Sequence, residues 1–161
     1  EANFIEDFKN QDRIIVGGPR PASTKVRQLF YKAFPKAHII KTGSITAEMV
    51  KYVTNTFLAT KVSFANEMKM LCDELNIDYD KVVEYATYDE RLGKSHWAVP
   101  GPDGKFGFGG SCFPKDINAL IDICYKMGVP AKTLFSAWET NLEVRPEQDW
   151  KELKGRAVVD E

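Results

Sequence analysis

The chain has 161 residues, of which 43% are apolar and 28% are charged, a composition typical of a globular protein and not of a disordered one. Its 22 basic and 23 acidic residues give a net charge of −1, and the absence of any basic block argues against a nucleic-acid partner. No apolar run approaches the ~20 residues that cross a bilayer, so no membrane partner is predicted either. Three cysteines, an odd and sparse count, argue against a disulfide framework and predict a reducing, cytoplasmic location.

The first part of the chain predicts a strand, a helix and a second strand. Residues 12–18, DRIIVGG, form a short β-branched apolar run that ends in two glycines, as a buried strand does. Residues 21–34 have apolar side chains at helical spacing, namely Val26, Leu29, Phe30 and Phe34. Residues 38–44, HIIKTGS, predict the second strand and a turn. This order is typical of the last part of an α/β unit. Because the chain begins at Glu1 without a methionine, we expect that further residues precede it.

The longest periodic segment, from residue 45 to about residue 75, predicts one long helix. Its apolar positions fall on or near one stripe: Ile45, Met49, Val53, Phe57, Met68, Leu71, Cys72 and Leu75. Other apolar residues widen this surface: Leu58, Val62 and Ala65. A helix that is apolar on several sides is predicted to be central and buried. Ser44 is a candidate N-cap, and Glu48 lies in the first turn, where the helix dipole favours an anion.

The rest of the chain predicts shorter helices around a long loop. A helix is expected to start near Asp78 or Asp80, and the Gly/Pro-rich segment 93–111 must be an ordered or a mobile loop. Another helix is predicted with Pro114 in its first turn and a stop at Gly128, and a last one ends before Pro146. The tail 149–161 is only weakly patterned. The fold class is therefore mainly α, with a long central helix and packed shorter helices, preceded by a short β-α-β segment.

Cys112 is the first candidate for chemistry. It follows the glycine-rich sequence GFGGS and stands directly before the predicted helix start. Unpaired N–H groups and the dipole at a helix start favour a thiolate, and Lys115 adds positive potential nearby. Buried packing is the ordinary role of a cysteine, and we assign it to Cys72 and Cys124, which lie on apolar helical stripes. In a polar, glycine-rich loop, packing explains Cys112 poorly.

Lys51 and Asn55 stand four residues apart and therefore share one face of the long helix. An ammonium and an amide together can stabilise an oxyanion. The alternative, that they are a solvated pair at the edge of a core helix, stays equally open.

Asp116 follows Cys112 by four residues and could orient a water molecule or act as a base, or it could merely favour the helix dipole. Arg91 precedes a glycine, Gly93, by two positions at a predicted helix end. Its guanidinium could complement that end or donate to hydroxyl or phosphate oxygens. His38 and His96 lack metal-ligand spacing, so no metal site is predicted.

Two stretches together resemble the nucleotide-sugar dehydrogenases, specifically the UDP-glucose 6-dehydrogenase group. They are GFGGSCFPKD, residues 107–116, and KYVTNTFLATKVSFANE, residues 51–67. The sequence EDFKNQDRIIVGG, residues 6–18, also resembles the end of that family's NAD-binding domain. The likeness extends from residue 1 to about residue 145. It implies a Rossmann-like origin for residues 1–43, a central helical dimerisation and catalytic-cysteine domain at 44–145, and a tail at 146–161.

The resemblance implies an oxidation of UDP-glucose to UDP-glucuronate by two NAD molecules, through a thiohemiacetal and a thioester on cysteine. The catalytic residues would be Cys112, Lys51, Asn55 and Asp116. Substrate would be bound by Glu1, Lys51, Asn55, Arg91, Asp103, Gly104, Lys105, Phe106, Gly107, Phe108 and Gly109. In this family the arginine matching Arg91 reaches the substrate of the neighbouring subunit. NAD would be bordered by Cys112, Phe113, Pro114 and Lys115. A homodimer would form through the central helix.

Departures from the family pattern set limits on this hypothesis. The glycine fingerprint GxGxxG that holds a dinucleotide occurs nowhere in the chain, and the family's glutamate base is expected before Glu1. We therefore expect the isolated chain to bind NAD weakly or not at all and to have no activity. The alternatives are a GDP-mannose or UDP-N-acetylhexosamine dehydrogenase, or a non-catalytic dimerisation module.

Overall fold

The structure is a computed structural model that describes residues 4–153 and residue 155. The chain divides into two compact units, one within residues 1–51 and one within residues 52–161. Helices and strands follow in the order α1 Phe4–Lys9, β1 Arg13–Gly17, α2 Ala22–Ala33, β2 His38–Thr42, α3 Ser44–Glu74, α4 Tyr79–Ala86, α5 Cys112–Lys126 and α6 Lys132–Val144. Single 3₁₀ turns occupy Glu90–Leu92 and Asp149–Glu152. The predicted class, mainly α with a β-α-β segment in front, is confirmed.

The first unit has a small parallel sheet. Strands β1 and β2 pair in parallel, with Ile14 opposite Ile39, and α2 connects them. The alternating side chains of the two strands bury Ile14, Val16 and Ile39, against which Phe30 and Phe34 pack. The predicted strand–helix–strand order is confirmed, whereas α1 was not predicted.

Helix α3 is 31 residues long, as the apolar periodicity predicted. In the second unit, small residues line its buried side, where Ala59 and Ala65 have no exposed surface. Ser63 is also buried there and donates its hydroxyl to the Ala137 carbonyl at 2.6 Å, which fastens α3 to α6. Most of the predicted apolar stripe is exposed, including Val53, Phe57 and Leu71. The prediction that this helix is buried is therefore wrong for that side, since the described chain covers the other side only. Among the described residues, no helix combines the length and hydropathy needed to cross a membrane.

Helices α5 and α6 begin and end close to the predicted residues, and α4 begins where it was predicted. The prediction that Arg91 stands at a helix end is wrong, because α4 ends at Ala86 and Arg91 lies in the 3₁₀ turn that follows. The carboxylate of Asp78 caps α4 by accepting from the Asp80 and Lys81 amides. Gly128, with a φ of 68°, follows the end of α5, as its conformational freedom led us to expect. The 3₁₀ turn at residues 149–152 was not predicted. It buries Trp150, whose ring centroid lies 5.2 Å from that of Trp138.

The segment 93–111, which we call the glycine loop, is mostly exposed but places two apolar side chains in the core of the second unit. Phe108 packs with Ala59, Ile117 and Ala137 in one cluster, and Val99 packs with Ala65, Cys72 and Tyr79 in another. A loop with buried side chains must also find partners for its backbone polar groups.

Two buried asparagines supply those partners. The Asn66 carbonyl oxygen on α3 accepts from the Gly107 amide at 3.1 Å. The Asn141 side chain on α6 accepts from the Phe108 amide at 2.7 Å and donates to the Phe108 carbonyl at 3.1 Å. A Cβ on Gly107, whose φ is 66°, would collide with Asn141. This loop position therefore requires glycine in order to approach α6 so closely.

Replacing Asn141 by alanine should destabilise the second unit by about 3 kcal/mol, because both polar backbone groups of Phe108 lose their partner and a cavity remains. Urea denaturation followed by circular dichroism measures the loss. The matched control is Asn118→Ala on the exposed side of α5, expected to change the free energy of unfolding by no more than about 0.5 kcal/mol. Equal losses in the two variants would contradict this account.

Tyr79 should make stability depend on pH in alkaline solution. Its buried hydroxyl donates to the Trp97 carbonyl at 2.6 Å, and burial, helped by Asp80 and Cys72, raises its pKa to about 12. The unfolded chain loses this proton first, so the free energy of unfolding should fall as the pH rises from about 10 to 12.

A Tyr79→Phe variant should lack this part of the pH dependence, and the exposed Tyr85→Phe should keep it. Denaturation curves at pH 9 and pH 11 measure the difference. Phenolate absorbance showing that Tyr79 titrates together with the exposed tyrosines would refute the assignment.

Candidate active site

Cys112 is the first residue of α5 and its side chain is exposed. Ser111 occupies the N-cap position, with its hydroxyl oxygen 3.9 Å from the Cys112 sulfur. The other two thiols lie differently, since Cys72 is buried and Cys124 is half-buried. None of the three cysteines, all within the described residues, forms a disulfide. The thiol therefore stands at the start of a helix and in contact with solvent, the setting in which cysteines are reactive.

Asp116 lies one turn after Cys112 and is completely buried. One of its carboxylate oxygens accepts from the Asn55 amide nitrogen at 2.6 Å, and the other pairs with the Lys115 ammonium. Because α5 begins at Cys112, Asp116 lies beyond the first turn, so the helix dipole does not account for its position. A carboxylate at this depth needs charge and hydrogen-bond compensation, which Lys115 and Asn55 provide.

Two of the predicted site residues, Lys51 and Glu1, do not join Cys112, Asn55 and Asp116 in the described second unit. Lys51 lies on α3, four residues before Asn55, with an exposed side chain, and it belongs to the first unit while Asn55 belongs to the second. Their joint role stays a prediction based on their helical spacing. Glu1, predicted to bind substrate, lies outside the described residues.

The predicted substrate segment, residues 103–109 of the glycine loop, is held by a guanidinium that sequence reasoning missed. Arg145, directly after α6, has 1% of its side chain exposed. It donates to the carboxylates of Asp103 and Asp149, at 2.7 Å each, and to the Phe106 carbonyl at 3.3 Å. The hydrogen bond from Arg145 keeps the pKa of Asp149 below its ordinary value. Burial would raise the pKa of Asp103, but the Arg145 guanidinium lowers it overall.

Other residues of this segment differ in exposure. Lys105 reaches the carboxylates of Glu147 and Asp149, at 3.3 and 3.5 Å, and the side chain of Phe106 is partly exposed. Phe108 is a core residue whose amide and carbonyl both bind Asn141, and its substrate contact stays a prediction. Among the residues predicted to border NAD, Pro114 is buried, whereas Cys112 and Lys115 have exposed atoms.

Arg91 projects into solvent from the 3₁₀ turn at Glu90–Leu92. Its side chain is 89% exposed, and its guanidinium pairs with Asp89 at 2.5 Å. Side-chain and backbone hydrogen bonds from Arg91 lower the pKa of Asp89. An exposed arginine of this kind fits a role toward another molecule, and that role stays a prediction.

The residues after Arg91 are tied to α3 by Lys61. Its ammonium donates to the Leu92 and Gly93 carbonyls, at 2.8 and 3.1 Å, and lies 4.7 Å from the centre of the Trp97 ring. The His96 ring lies beside Phe113, with centroids 5.8 Å apart. Desolvation and the nearby Lys61 charge lower the pKa of His96. Among the described residues, no group of three or more His, Cys, Asp or Glu side chains could hold a metal ion.

Several known proteins are similar to this chain. The UDP-glucose 6-dehydrogenase TuaD of Bacillus subtilis is 36% identical over 145 residues, which is 90% of this chain and 30% of that protein. The UDP-glucose 6-dehydrogenase AglM of Haloferax volcanii is 32% identical over 164 residues, covering 99% of this chain and 37% of the relative. The chain thus spans about a third of the length of the curated relatives it matches.

A solved structure has the same fold, and a family model matches the central part. The UDP-glucose dehydrogenase of Pyrobaculum islandicum superposes with a TM-score of 0.78 at 34% identity, over 86% of this chain and 31% of that one. The model of the UDP-glucose/GDP-mannose dehydrogenase family, central domain, matches residues 45–143. Because this match extends over more than half of the sequence, the chain belongs to the UDP-glucose/GDP-mannose dehydrogenase family, and residues 45–143 are its central domain.

Proposed function

We propose that this chain is the nucleophile-bearing part of an NAD-dependent UDP-glucose 6-dehydrogenase, which converts UDP-glucose to UDP-glucuronate. The observation that carries the proposal is the exposed Cys112 thiol at the start of α5, one turn before a buried Asp116 bound to Asn55. A nucleophile, an amide donor and a carboxylate are the groups that acyl chemistry on a thiol requires.

In this scheme Asn55 and Lys51 hold the oxygen on C6 of the sugar. The Asn55 amide is oriented by Asp116, because one of its N–H groups is already bound to that carboxylate. Its other N–H can donate to the substrate oxygen. Lys51 contributes positive charge one turn earlier on α3, as the helical spacing predicts. Donors on a helix stabilise a developing oxyanion with little reorganisation.

The thiol of Cys112 retains the reactive intermediate. After the first oxidation of the alcohol, the thiolate adds to the aldehyde carbon, and the carbonyl oxygen takes up a proton, which gives a thiohemiacetal. Loss of a hydride and a proton converts it to a thioester. Water then adds to the carbonyl carbon, the carbon–sulfur bond breaks, and the thiolate leaves with its electron pair. Asp116 would accept a proton during this hydrolysis.

NAD, when bound, accepts one hydride in each of the two oxidations. The residues present fit the edge of such a cofactor, since Cys112 and Lys115 expose atoms at the start of α5 while Phe113 and Pro114 pack inward. They do not include the GxGxxG turn that cradles a pyrophosphate. We therefore propose that the isolated chain binds NAD weakly or not at all and is inactive alone.

UDP-glucose is proposed as the substrate because TuaD and AglM, both more than 30% identical to the chain, carry that enzyme name. GDP-mannose, the other sugar nucleotide in the family's name, and a UDP-N-acetylhexosamine are the alternatives.

The proposed homodimer is supported by the open side of α3. In the second unit, Val53 and Phe57 are 56% and 68% exposed, and Phe64 and Leu71 continue the same stripe with about half of their surface exposed. These positions are spaced by four and seven residues, so they lie along one side of the helix. A stripe of large apolar side chains along a helix is the seam through which helices pair.

Alkylation with iodoacetamide at pH 7, followed by mass spectrometry, tests the assignment of the nucleophile. Cys112 should react roughly tenfold faster than the buried Cys72, because it is exposed at a helix start. UDP-glucose should slow the reaction of Cys112 and leave Cys124 unaffected. Slow and equal labelling of all three thiols would favour the non-catalytic dimerisation module instead.

A Phe57→Glu substitution should convert the dimer to a monomer in sedimentation equilibrium, because a carboxylate on the exposed stripe would lose its solvation in the pair. The matched control is Phe135→Glu, an exposed phenylalanine on α6, which should leave the dimer intact. If the parent chain is a monomer, or if both variants dissociate alike, the helix α3 interface is wrong.

A further inference from the structure

Among the described residues of the second unit, Arg145 is the largest with a fully buried side chain, and the proposed mechanism gives it no role. A buried guanidinium is costly unless its charge and its donors are satisfied. Here Asp149 accepts from both Nε and Nη2, at 2.9 and 2.7 Å, and Asp103 accepts from Nη2 at 2.7 Å. Asp149 also pairs with Lys105, and Asp103 brings a second carboxylate to the guanidinium.

The contacts of Arg145 are spread along the glycine loop. It binds the side chain of Asp103 and the carbonyl of Phe106, and a Cβ added to Gly109 would overlap its guanidinium. One side chain thus contacts the second half of the loop at three points, from its middle to close to its end. Lys105, between these points, pairs with Glu147 at 3.3 Å and, at 3.5 Å, with Asp149, the carboxylate that also binds Arg145.

The loop in turn is joined to the start of α5. Phe108 packs edge-on against Phe113, with ring centroids 6.0 Å apart, and Phe113 follows Cys112 directly. Only Gly110 and Ser111 separate Gly109 from Cys112, and Ser111 is buried as the N-cap. A shift of the loop would therefore move the backbone that carries the thiol.

We propose that Arg145 is a positioning residue that, through Asp103 and the Phe106 carbonyl, fixes the glycine loop and thereby the Cys112 thiol. This inference rests on the proposed function for the importance of Cys112. It also changes the role of Asp103, whose carboxylate is engaged with Arg145 and acts through it, not by direct contact with the sugar.

Asp103→Asn is the mildest test, because it removes one carboxylate and leaves the pair of Arg145 with Asp149 in place. Amides 107–111 should exchange with deuterium roughly fivefold faster, an effect of the size seen within coupled networks. The labelling rate of Cys112 at pH 7, taken relative to Cys124, should fall by roughly threefold as the ordered helix start is loosened. The melting temperature should change little, since Asp103 is half exposed.

Glu147→Gln is the matched control, because Glu147 pairs with Lys105 at 3.3 Å and, within the described residues, interacts with Arg145 only through charge and not through a hydrogen bond. This variant should change neither the deuterium exchange of amides 107–111 nor the labelling rate of Cys112.

A double-mutant cycle with Arg145→Lys decides whether Asp103 acts through the guanidinium. Lysine cannot make the fork to Asp149 and reach Asp103 together, so Asp103→Asn should have little further effect in that background. Additive effects, or unchanged exchange in Asp103→Asn, would overturn the proposal. Slow Cys112 labelling in the parent chain would instead count against the proposed function, while the exchange data would still decide on Arg145.

Discussion

The stability of the second unit depends on hydrogen-bond partners for the buried backbone groups of the glycine loop, which is neither helix nor strand. The glycine loop places Val99 and Phe108 in the core, where its own amides and carbonyls lose contact with water. Asn66, Asn141 and Arg145 supply the missing partners, from α3, from α6 and from the residue after α6. An unpartnered buried group would cost about 1–3 kcal/mol, so these side chains decide whether the loop has one conformation.

The need to satisfy the buried backbone groups of the glycine loop also fixes the surroundings of Cys112. Cys112 follows this loop directly, and its exposure contrasts with the burial of Ser111 before it and of Pro114 after it. Asp116, one turn further, is buried against Asn55 and Lys115. A reactive group keeps its geometry when the groups that support it are buried, and it can stay exposed to a substrate at the same time.

The two sides of α3 differ in residue size and in burial, and family membership together with burial indicates why. In the second unit its inner side has alanine, serine and asparagine, which allow α6 and the loop to approach closely, and its outer side has large exposed apolar residues. The chain spans about a third of the length of its relatives, so the exposed side of α3 is described for that part only. The proposed pairing of α3 with a second copy would bury this outer side.

The sequence by itself determined both strands and the longer helices, because their periodicities and their Gly and Pro stops are local signals. It also singled out Cys112, because a thiol stood after a glycine-rich stretch at a helix start. Asn55 and Asp116 were candidates by their spacing of four residues from Lys51 and Cys112, each with an ordinary structural alternative. Only the tertiary structure decided that Asn66 and Asn141 bind loop amides 41 and 33 positions away, and that Arg145 is buried. A polar residue on a helix has the same local pattern whether it meets water or a distant backbone, so its partner emerges only when the helices pack.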